Sequence, residues 1–261
     1  MHSKISDTAM LLCAGFGTRM RPLTLTTPKP LLKVQGKTML ELALKKLGDT
    51  GCVKRVVINT HYLYEQIEDY AKSLDLTALG LKEIIISREE EILETGGGIV
   101  KALPYFNNKP FFAINADLPW IDNISVSNSL SRMIEIWDSE TMDVLLLIMR
   151  TEKAMGFANT GDFFLIPREH KPHSELAFGE LYRKNTEPPR PYVLISAQIL
   201  KPELFTEPPA KVFSNNVIYN KAEEKHKLYG LEHFGTCYHI GTPQDLQKAN
   251  ELLETETKWN K

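Results

Sequence analysis

Cysteine is scarce: the 261 residues hold only three, Cys13, Cys52 and Cys237, far apart and with no Cys-x-x-Cys pair. That argues against a disulfide framework and a cysteine-built zinc site, and leaves small buried thiols of a reducing compartment. Excess charge of either sign is also missing, since 31 basic and 33 acidic side chains leave a net charge of −2. A general nucleic-acid binder would be basic. No nucleic-acid partner is therefore expected, and any affinity for phosphate must come from local charge. Long apolar runs are absent too. The longest, Val144 to Met149, is of strand length, against the roughly 18 residues that mark a membrane span. The stretch Met1 to Asp7 leads into a strand and not into a signal peptide. A soluble, cytoplasmic chain with no membrane contact is the expectation. There is no internal repeat, low-complexity tract or clear linker.

What the sequence does have is concentrated in residues 11–30. An apolar strand, Ala9 to Ala14, runs into a loop with Gly15 and Gly17. Glycine lets the backbone turn tightly and approach a ligand, and successive N–H groups in such a loop can converge on one anion. Arg19 and Arg21 add positive charge, and Lys29 adds a third between Pro28 and Pro30. Proline restricts its own φ and the residue before it, so this segment is expected to be extended. A backbone cradle with Arg and Lys suits a polyphosphate. Two familiar glycine loops are excluded. A P-loop would end in Gly-Lys-Ser/Thr, but Thr18-Arg19 follows Gly17; a dinucleotide fingerprint would need a small residue where Met20 stands.

Strand and helix patterns alternate over the first 150 residues. Met39 to Leu47 reads as an amphipathic helix, Val53 to Asn59 as a strand, Tyr64 to Ser73 as a helix and Lys82 to Ser87 as a strand. A helix opened by Glu94-Thr95-Gly96-Gly97-Gly98 follows, then the strand Phe111 to Asn115, a helix over Val126 to Asp138 and a strand over Asp143 to Arg150. This alternation predicts an α/β fold: a Rossmann-like mixed, mostly parallel sheet with helices on both faces. Ligands of such sheets sit at the carboxyl ends of the strands. Gly15-x-Gly17, Asn59-x-His61 and Asn115-x-Asp117 should therefore share one edge. Beyond Thr151 the prolines at 167, 172, 188, 189 and 191 predict loops and short strands. A strand over Tyr192 to Leu200, a helix over Val212 to His226, strands over Leu228 to Leu231 and Phe234 to Ile240, and a terminal helix after Thr242-Pro243 complete the pattern. One domain over 1–261 is expected, with a nucleotide-binding half at 8–150 and a sugar-binding half at 151–261.

Asp117 ends a buried strand, where a lone charge is costly unless paired or metal-bound. Taken alone it reads equally as a turn or helix-cap aspartate. Beside a phosphate loop it reads as a Mg²⁺ ligand, because Mg²⁺ takes one or two carboxylates and fills its shell with water and phosphate oxygens. Asn59 and His61 read as polar wall residues, or His61 as a satisfied structural histidine.

The string Gly15-x-Gly17-Thr18-Arg19-Met20-x-Pro22-Leu23-Thr24 with Pro28-Lys29-Pro30 resembles the signature of sugar-1-phosphate nucleotidylyltransferases. Asn115-Ala116-Asp117 resembles that family's metal motif. Glu94 to Ile99 is similar to its nucleobase loop, the triple glycine being especially like N-acetylmuramate-1-phosphate uridylyltransferases. The resemblance extends to Tyr238-His239-Ile240-Gly241-Thr242 and is weak over 151–190. It implies nucleotide contacts from Ala14, Gly15, Gly17, Thr18, Gly96, Gly97 and Asn115, and sugar contacts from Gly161 and from Ser196, which stands where relatives often have glycine. It implies Arg19 on the β- and γ-phosphates, Lys29 on the α-phosphate and Asp117 on Mg²⁺, with Mn²⁺ as the alternative. His239 replaces the usual second metal-binding aspartate. It can bind the metal directly, act on it through an intervening ligand or on phosphate, or mark a site that has lost activity. The implied reaction joins UTP to N-acetylmuramate 1-phosphate. Guanylyl transfer from GTP to mannose or heptose 1-phosphate is the close alternative, and a silent nucleotide-sugar sensor the alternative of another class. A monomer or small homo-oligomer without the β-helix domain of many relatives is expected.

Overall fold

A computed structural model describes residues 4–117, 119–122, 128–157, 160–168, 177–184 and 186–255. In chain order the strands are β1 (Thr8–Leu12), β2 (Lys33–Val34), β3 (Lys37–Thr38), β4 (Arg55–Thr60), β5 (Glu83–Arg88), β6 (Phe111–Asn115) and β7 (Trp120–Asp122). They continue with β8 (Val144–Arg150), β9 (Phe164–Pro167), β10 (Phe178–Tyr182), β11 (Tyr192–Leu200), β12 (Leu228–Glu232) and β13 (Gly235–Cys237). The helices are α1 (Met39–Gly48), α2 (Tyr64–Ser73), α3 (Glu94–Ala102), α4 (Ser129–Ile136), α5 (Asn216–Glu224) and α6 (Pro243–Thr255).

Nine strands form one sheet in the order β5-β4-β1-β6-β11-β8-β12-β10-β9. β5, β4, β1 and β6 are mutually parallel, and β12 is parallel to β8. β11 runs against both β6 and β8, and β10 against β12 and β9. The sheet is thus mixed, with most strands in one direction. β11, from the expected second half, is inserted between β6 and β8 of the first, so one hydrogen-bonded layer joins the two.

Both faces of the sheet are covered, which is why its central strands carry runs of successive apolar residues and not an alternation. On one face Ala9, Leu11, Val56, Ile58 and Ile114 pack with Leu40, Leu44 and Leu47 of α1, Ile67 of α2 and Leu130 and Met133 of α4. On the other, Met10, Val57 and Ala113 pack with Ile99 and Ala102 of α3 and with Ile218 and Ala222 of α5. Each fully buried Val, Leu, Ile or Met side chain among these contributes about 1.5–3 kcal/mol. α1 is entered by an N-cap, Thr38, whose Oγ1 accepts from the Glu41 amide at 3.0 Å, and Lys45 and Lys46 complement the dipole of its last turn. α6 begins with a reciprocal cap: the Asp245 amide donates to Thr242 Oγ1, and the Asp245 carboxylate accepts from the Thr242 amide at 2.8 Å.

Three local expectations are corrected. Lys29 is not extended but opens a short 3₁₀ turn, Lys29–Leu31, closed by bonds from the Leu31 amide to Pro28 and from the Leu32 amide to Lys29. Proline at the second position of such a turn needs no amide partner there, so the sequence tolerates it. The expected helix from Val212 begins only at Asn216, because Phe213 is held outside it as the acceptor of the Gly96 amide at 2.8 Å. The expected strand Phe234 to Ile240 shrinks to β13, which pairs with β7 in a separate ribbon. The expected start at Val126 of the helix that appears as α4, and Pro172, lie outside the described residues.

Candidate active site

The register of the parallel strands assembles the site. Leu12 pairs with Asn59 on one side and with Asn115 on the other, so the segments after β1, β4 and β6 leave the sheet together at one edge. A cavity of about 400 Å³ opens there, lined by Ala14, Gly15, Gly17, Thr18, Arg19, Lys29, Asn115 and Asp117, with Glu94 and Thr95 across from the loop. Gly17 has φ +60°, and a Cβ on it would lie 3.0 Å from Thr24 Cγ2 and 3.1 Å from Lys29 Cβ, so glycine is required on both counts. The turn is closed by the Met20 amide at 2.9 Å and the Thr24 hydroxyl at 2.8 Å, both donating to the Gly17 carbonyl. Phe16 stands exposed at the loop tip, braced by the rings of His61 and Tyr62. His61 Nδ1 donates to the Glu89 carbonyl at 3.0 Å, so the ring braces Phe16 from behind and, unlike Asn59, does not line the cavity.

Opposite charges meet at the cavity floor. Lys29 Nζ lies 2.7 Å from Asp117 Oδ2, with the lysine side chain only 10% exposed and the aspartate 35%. Cys13 and Cys237 lie close by, and burial first, then the Asp117 charge, push both thiols well above the ordinary range. Thiolate chemistry is thereby closed off at neutral pH.

Glu89 is a residue that sequence reading missed. It sits in an acidic run, which usually signals a solvated surface, yet it is 2% exposed. Its Oε1 accepts from Asn59 Nδ2 at 2.7 Å and its Oε2 from the Leu93 amide at 2.9 Å, while Asn59 Oδ1 accepts from the Cys13 amide at 2.8 Å. This chain of bonds ties the end of β1 to the start of α3. The triple glycine serves the same closeness. A Cβ on Gly98 would lie 2.8 Å from Glu89 Oε1 and 2.9 Å from Asn59 Nδ2; one on Gly96 would run into the Phe213 ring, and one on Gly97 into the Lys211 carbonyl. Gly96 and Gly97 thus pack α3 against residues 211–213 and are not among the lining residues of the cavity, which α3 meets through Glu94 and Thr95.

A second cavity, of about 260 Å³, shares Thr95 and Asn115 with the first. Its other walls include Asp162, next to the expected sugar contact Gly161, and Arg183, Gln198, Asn215 and Tyr219, which the sequence reading had not singled out. They come from distant elements of no distinctive local pattern. Gly161 precedes this wall with φ +59° and its Cα against the Arg190 carbonyl. Ser196 sits behind it, fully buried at φ +72° in a bulge of β11, where its hydroxyl donates to the Asn115 carbonyl at 2.8 Å. It therefore supports a residue that both cavities share.

His239 lies to the side. Its Nδ1 donates to the Gly156 carbonyl at 3.0 Å and its ring meets Phe157 at 4.8 Å between centroids. A methyl placed on Gly241 would touch His239 Cε1 at 3.4 Å and Arg19 Nη1 at 3.5 Å, so imidazole and guanidinium flank the same glycine. Among the described residues no cluster of three or more His, Cys, Asp or Glu side chains is arranged to hold a metal. The one carboxylate in the first cavity, Asp117 apart, is Glu94 on the far wall. Such a donor set fits Mg²⁺ held by one carboxylate with phosphate and water oxygens, not a closed protein-built centre.

Comparison with known proteins accords with this geometry. Residues 8–167 match the family model described as Nucleotidyl transferase. The chain is 32% identical over 251 residues to the N-acetylmuramate alpha-1-phosphate uridylyltransferase of Caulobacter vibrioides, covering 96% of this chain and 98% of that protein. It is 26% identical over 249 residues to the mannose-1-phosphate guanylyltransferase of Mycobacterium tuberculosis, covering 94% of this chain and 64% of that protein. A solved UDP-glucose pyrophosphorylase complexed with UDP-glucose superposes with TM-score 0.76 over 95% of this chain and 98% of that one, at 18% identity, a likeness of fold. A family match across most of the sheet and a full-length relative at such identity lead to one assignment: the chain belongs to the nucleotidyl transferase family, among the sugar-1-phosphate nucleotidyltransferases.

Proposed function

We propose that the protein joins UTP and N-acetylmuramate 1-phosphate to give a UDP-sugar and pyrophosphate. The observation that carries this reading is the pair of cavities that share Thr95 and Asn115, one floored by Lys29 and Asp117 and the other walled by polar side chains, Asp162 and Arg183 among them. In the reaction a phosphate oxygen of the sugar 1-phosphate attacks the α-phosphorus of the triphosphate. A new P–O bond forms, the α–β bridge breaks, and pyrophosphate leaves with its electron pair. The nucleophile is already an anion, so no general base is needed; the work is alignment of two anions and neutralisation of charge. The loop amides around Gly15 and Gly17 cradle the triphosphate. Arg19 neutralises the leaving pyrophosphate and Lys29 the α-phosphate. A divalent ion on Asp117 would supply further positive charge to phosphate oxygens. His239, beside Arg19 at Gly241, acts on the phosphate side. The uridylyl and N-acetylmuramate assignments are supported by the Caulobacter relative; the mycobacterial relative makes GTP with mannose 1-phosphate the competing pair.

The test is pyrophosphate release from each of the four nucleoside triphosphates with a panel of sugar 1-phosphates, in Mg²⁺ or Mn²⁺. Release with UTP and N-acetylmuramate 1-phosphate is expected. Release only with GTP and mannose 1-phosphate would replace the substrates and keep the reaction. In the same assay His239→Ala should raise the KM for the triphosphate and leave the metal concentration for half-activity unchanged; a shifted metal requirement would make His239 a ligand instead.

A further inference from the structure

The second cavity holds a cation with nowhere to go. Arg183, directly after β10, points its guanidinium along α5. Nε donates to Asn220 Oδ1 at 3.3 Å, Nη1 to Asn216 Oδ1 at 3.0 Å, and Nη2 to Asn220 Oδ1 at 2.8 Å and to the Asn216 carbonyl at 3.1 Å. Asn216 and Asn220 lie one helical turn apart, so they grip the group from one face. The rings of Phe163 and Tyr219 lie 5.3 and 5.9 Å from its Cζ, within cation–π range. A surface arginine is free to swing away; this one is preorganised. Its four bonds go to amide oxygens, and among the described residues no carboxylate lies within ion-pair distance of it. The nearby Glu223 spends Oε1 on the amides of Arg183 and Lys184, at 2.9 and 2.7 Å. Of five guanidinium N–H groups one on Nη1 is left over, and no direct ion pair takes up the charge, which Glu223 and Asp162 offset through space.

An independent sign of a ligand stands beside it. Asn215 is 3% exposed and lines the same cavity, yet its Oδ1 has no hydrogen-bond partner. A buried acceptor left open is costly unless something donates to it. Its neighbours are already committed: the Tyr219 hydroxyl donates to Gln198 Oε1 at 2.6 Å, and Asp162 Oδ2 accepts from the Leu194 amide at 3.0 Å. The cavity therefore offers an acceptor for an O–H or N–H group and a fixed cation for an anionic one. A neutral sugar can hydrogen-bond to both but brings no charge to the guanidinium.

We propose that Arg183 binds a carboxylate carried by the acceptor sugar and makes the protein select an acidic sugar 1-phosphate over its neutral counterpart. The inference rests on the second cavity being the acceptor site. It adds a residue and a selection rule to that reading: N-acetylmuramate differs from N-acetylglucosamine by a lactyl ether whose carboxylate is the group read.

The test compares kcat/KM for two matched pairs, N-acetylmuramate against N-acetylglucosamine 1-phosphate and glucuronate against glucose 1-phosphate, in the intact protein, Arg183→Leu and Arg183→Lys. Calorimetric titration with the same four compounds supplies a readout that needs no turnover. The acidic member of at least one pair should be preferred by the intact protein. Arg183→Leu should lower kcat/KM for the acidic member about ten- to a hundred-fold, the range of a charge-assisted contact, while the neutral member changes less than about three-fold. Arg183→Lys should keep part of the preference. Equal losses on both members would make Arg183 only a clamp between β10 and α5, and a neutral preference in both pairs would equally overturn the inference; either result leaves nucleotidyl transfer standing. Absence of pyrophosphate release from every acceptor, with the acidic preference still seen in calorimetry, would overturn the proposed reaction and keep the role of Arg183.

Discussion

Lys29 and Asp117 are held together at 2.7 Å, and each removes the main uncompensated charge of the other. The pairing keeps both at the cavity floor until anionic phosphates compete for the lysine. Removing either leaves its partner charged and part-buried, but the pair lies at a sheet edge and outside the apolar core. Lys29→Ala and Asp117→Ala should each reduce turnover by about a hundred-fold or more, with thermal denaturation midpoints within a few degrees of the parent; near-normal turnover in either would remove them from the mechanism. Ser196 presents the opposite balance. Its φ of +72° costs a non-glycine residue about 1–2 kcal/mol, and the bond to the Asn115 carbonyl offsets part of that. Urea denaturation should find Ser196→Gly within about 1 kcal/mol of the parent, since relief of strain and loss of the bond oppose each other. Ser196→Val, which loses the bond and branches at Cβ, should cost more than about 2 kcal/mol.

α3 is the element on which both cavities depend. Its first turn carries Glu94 and Thr95 into the site, while Gly96, Gly97 and Gly98 let it lie against residues 211–213, Glu89 and Asn59. The Thr95 hydroxyl also accepts from the Asn215 amide at 2.9 Å, so the helix start fixes the wall of the second cavity. Gly97→Ala pushes a methyl into the Lys211 carbonyl, a backbone atom that cannot rotate aside. Calorimetric unfolding should show a loss of about 1–3 kcal/mol, as for other overpacked sites, and the KM for both substrates should rise together because α3 borders both. A rise for one substrate alone would mean that α3 does not couple the cavities. At this scale the sequence was legible for strand β6, expected over Phe111 to Asn115 and found there, and for α1, whose apolar period matches the observed helix. It was not legible for the 212–215 segment, where apolar spacing resembled a helix but long-range hydrogen bonds to Gly96 and Thr95 hold the backbone outside it.

At the scale of the whole molecule, a buried histidine contributes to the response to acid. His233, in the loop before β13, is wholly enclosed; it shares a hydrogen bond with Ser129 Oγ at 2.9 Å, donates Nε2–H to the Ile121 carbonyl and lies 3.9 Å from Asp122, with Lys46 and Arg132 nearby. Burial above all pushes its pKa down from 6.5 to about 4. The unfolded chain therefore takes up a proton below about pH 6.5, whereas the folded one resists until about pH 4. Stability is fully present above the unfolded value and falls with pH through this window, by about 3 kcal/mol in all. Urea denaturation at several pH values should show that decline, and His233→Gln should flatten it; an unchanged slope would place the acid sensitivity elsewhere. This histidine joins the β7–β13 ribbon to α4, which is why one protonation bears on the whole fold.

Taken by itself, the sequence determined the parallel half and the first cavity. Apolar strands alternating with amphipathic helices force crossover connections, and these deliver Gly15-x-Gly17, Asn59-x-His61 and Asn115-x-Asp117 to one edge. That logic is local, working over strand and helix lengths that composition and period reveal. Only the tertiary structure decided the second cavity. β11 enters between β6 and β8 against their direction, and Thr95, Asp162, Arg183, Asn215 and Tyr219 converge across gaps of sequence that no periodicity spans. The grip of Asn216 and Asn220 on Arg183 belongs to the same class, for it exists only once β10 and α5 are packed side by side.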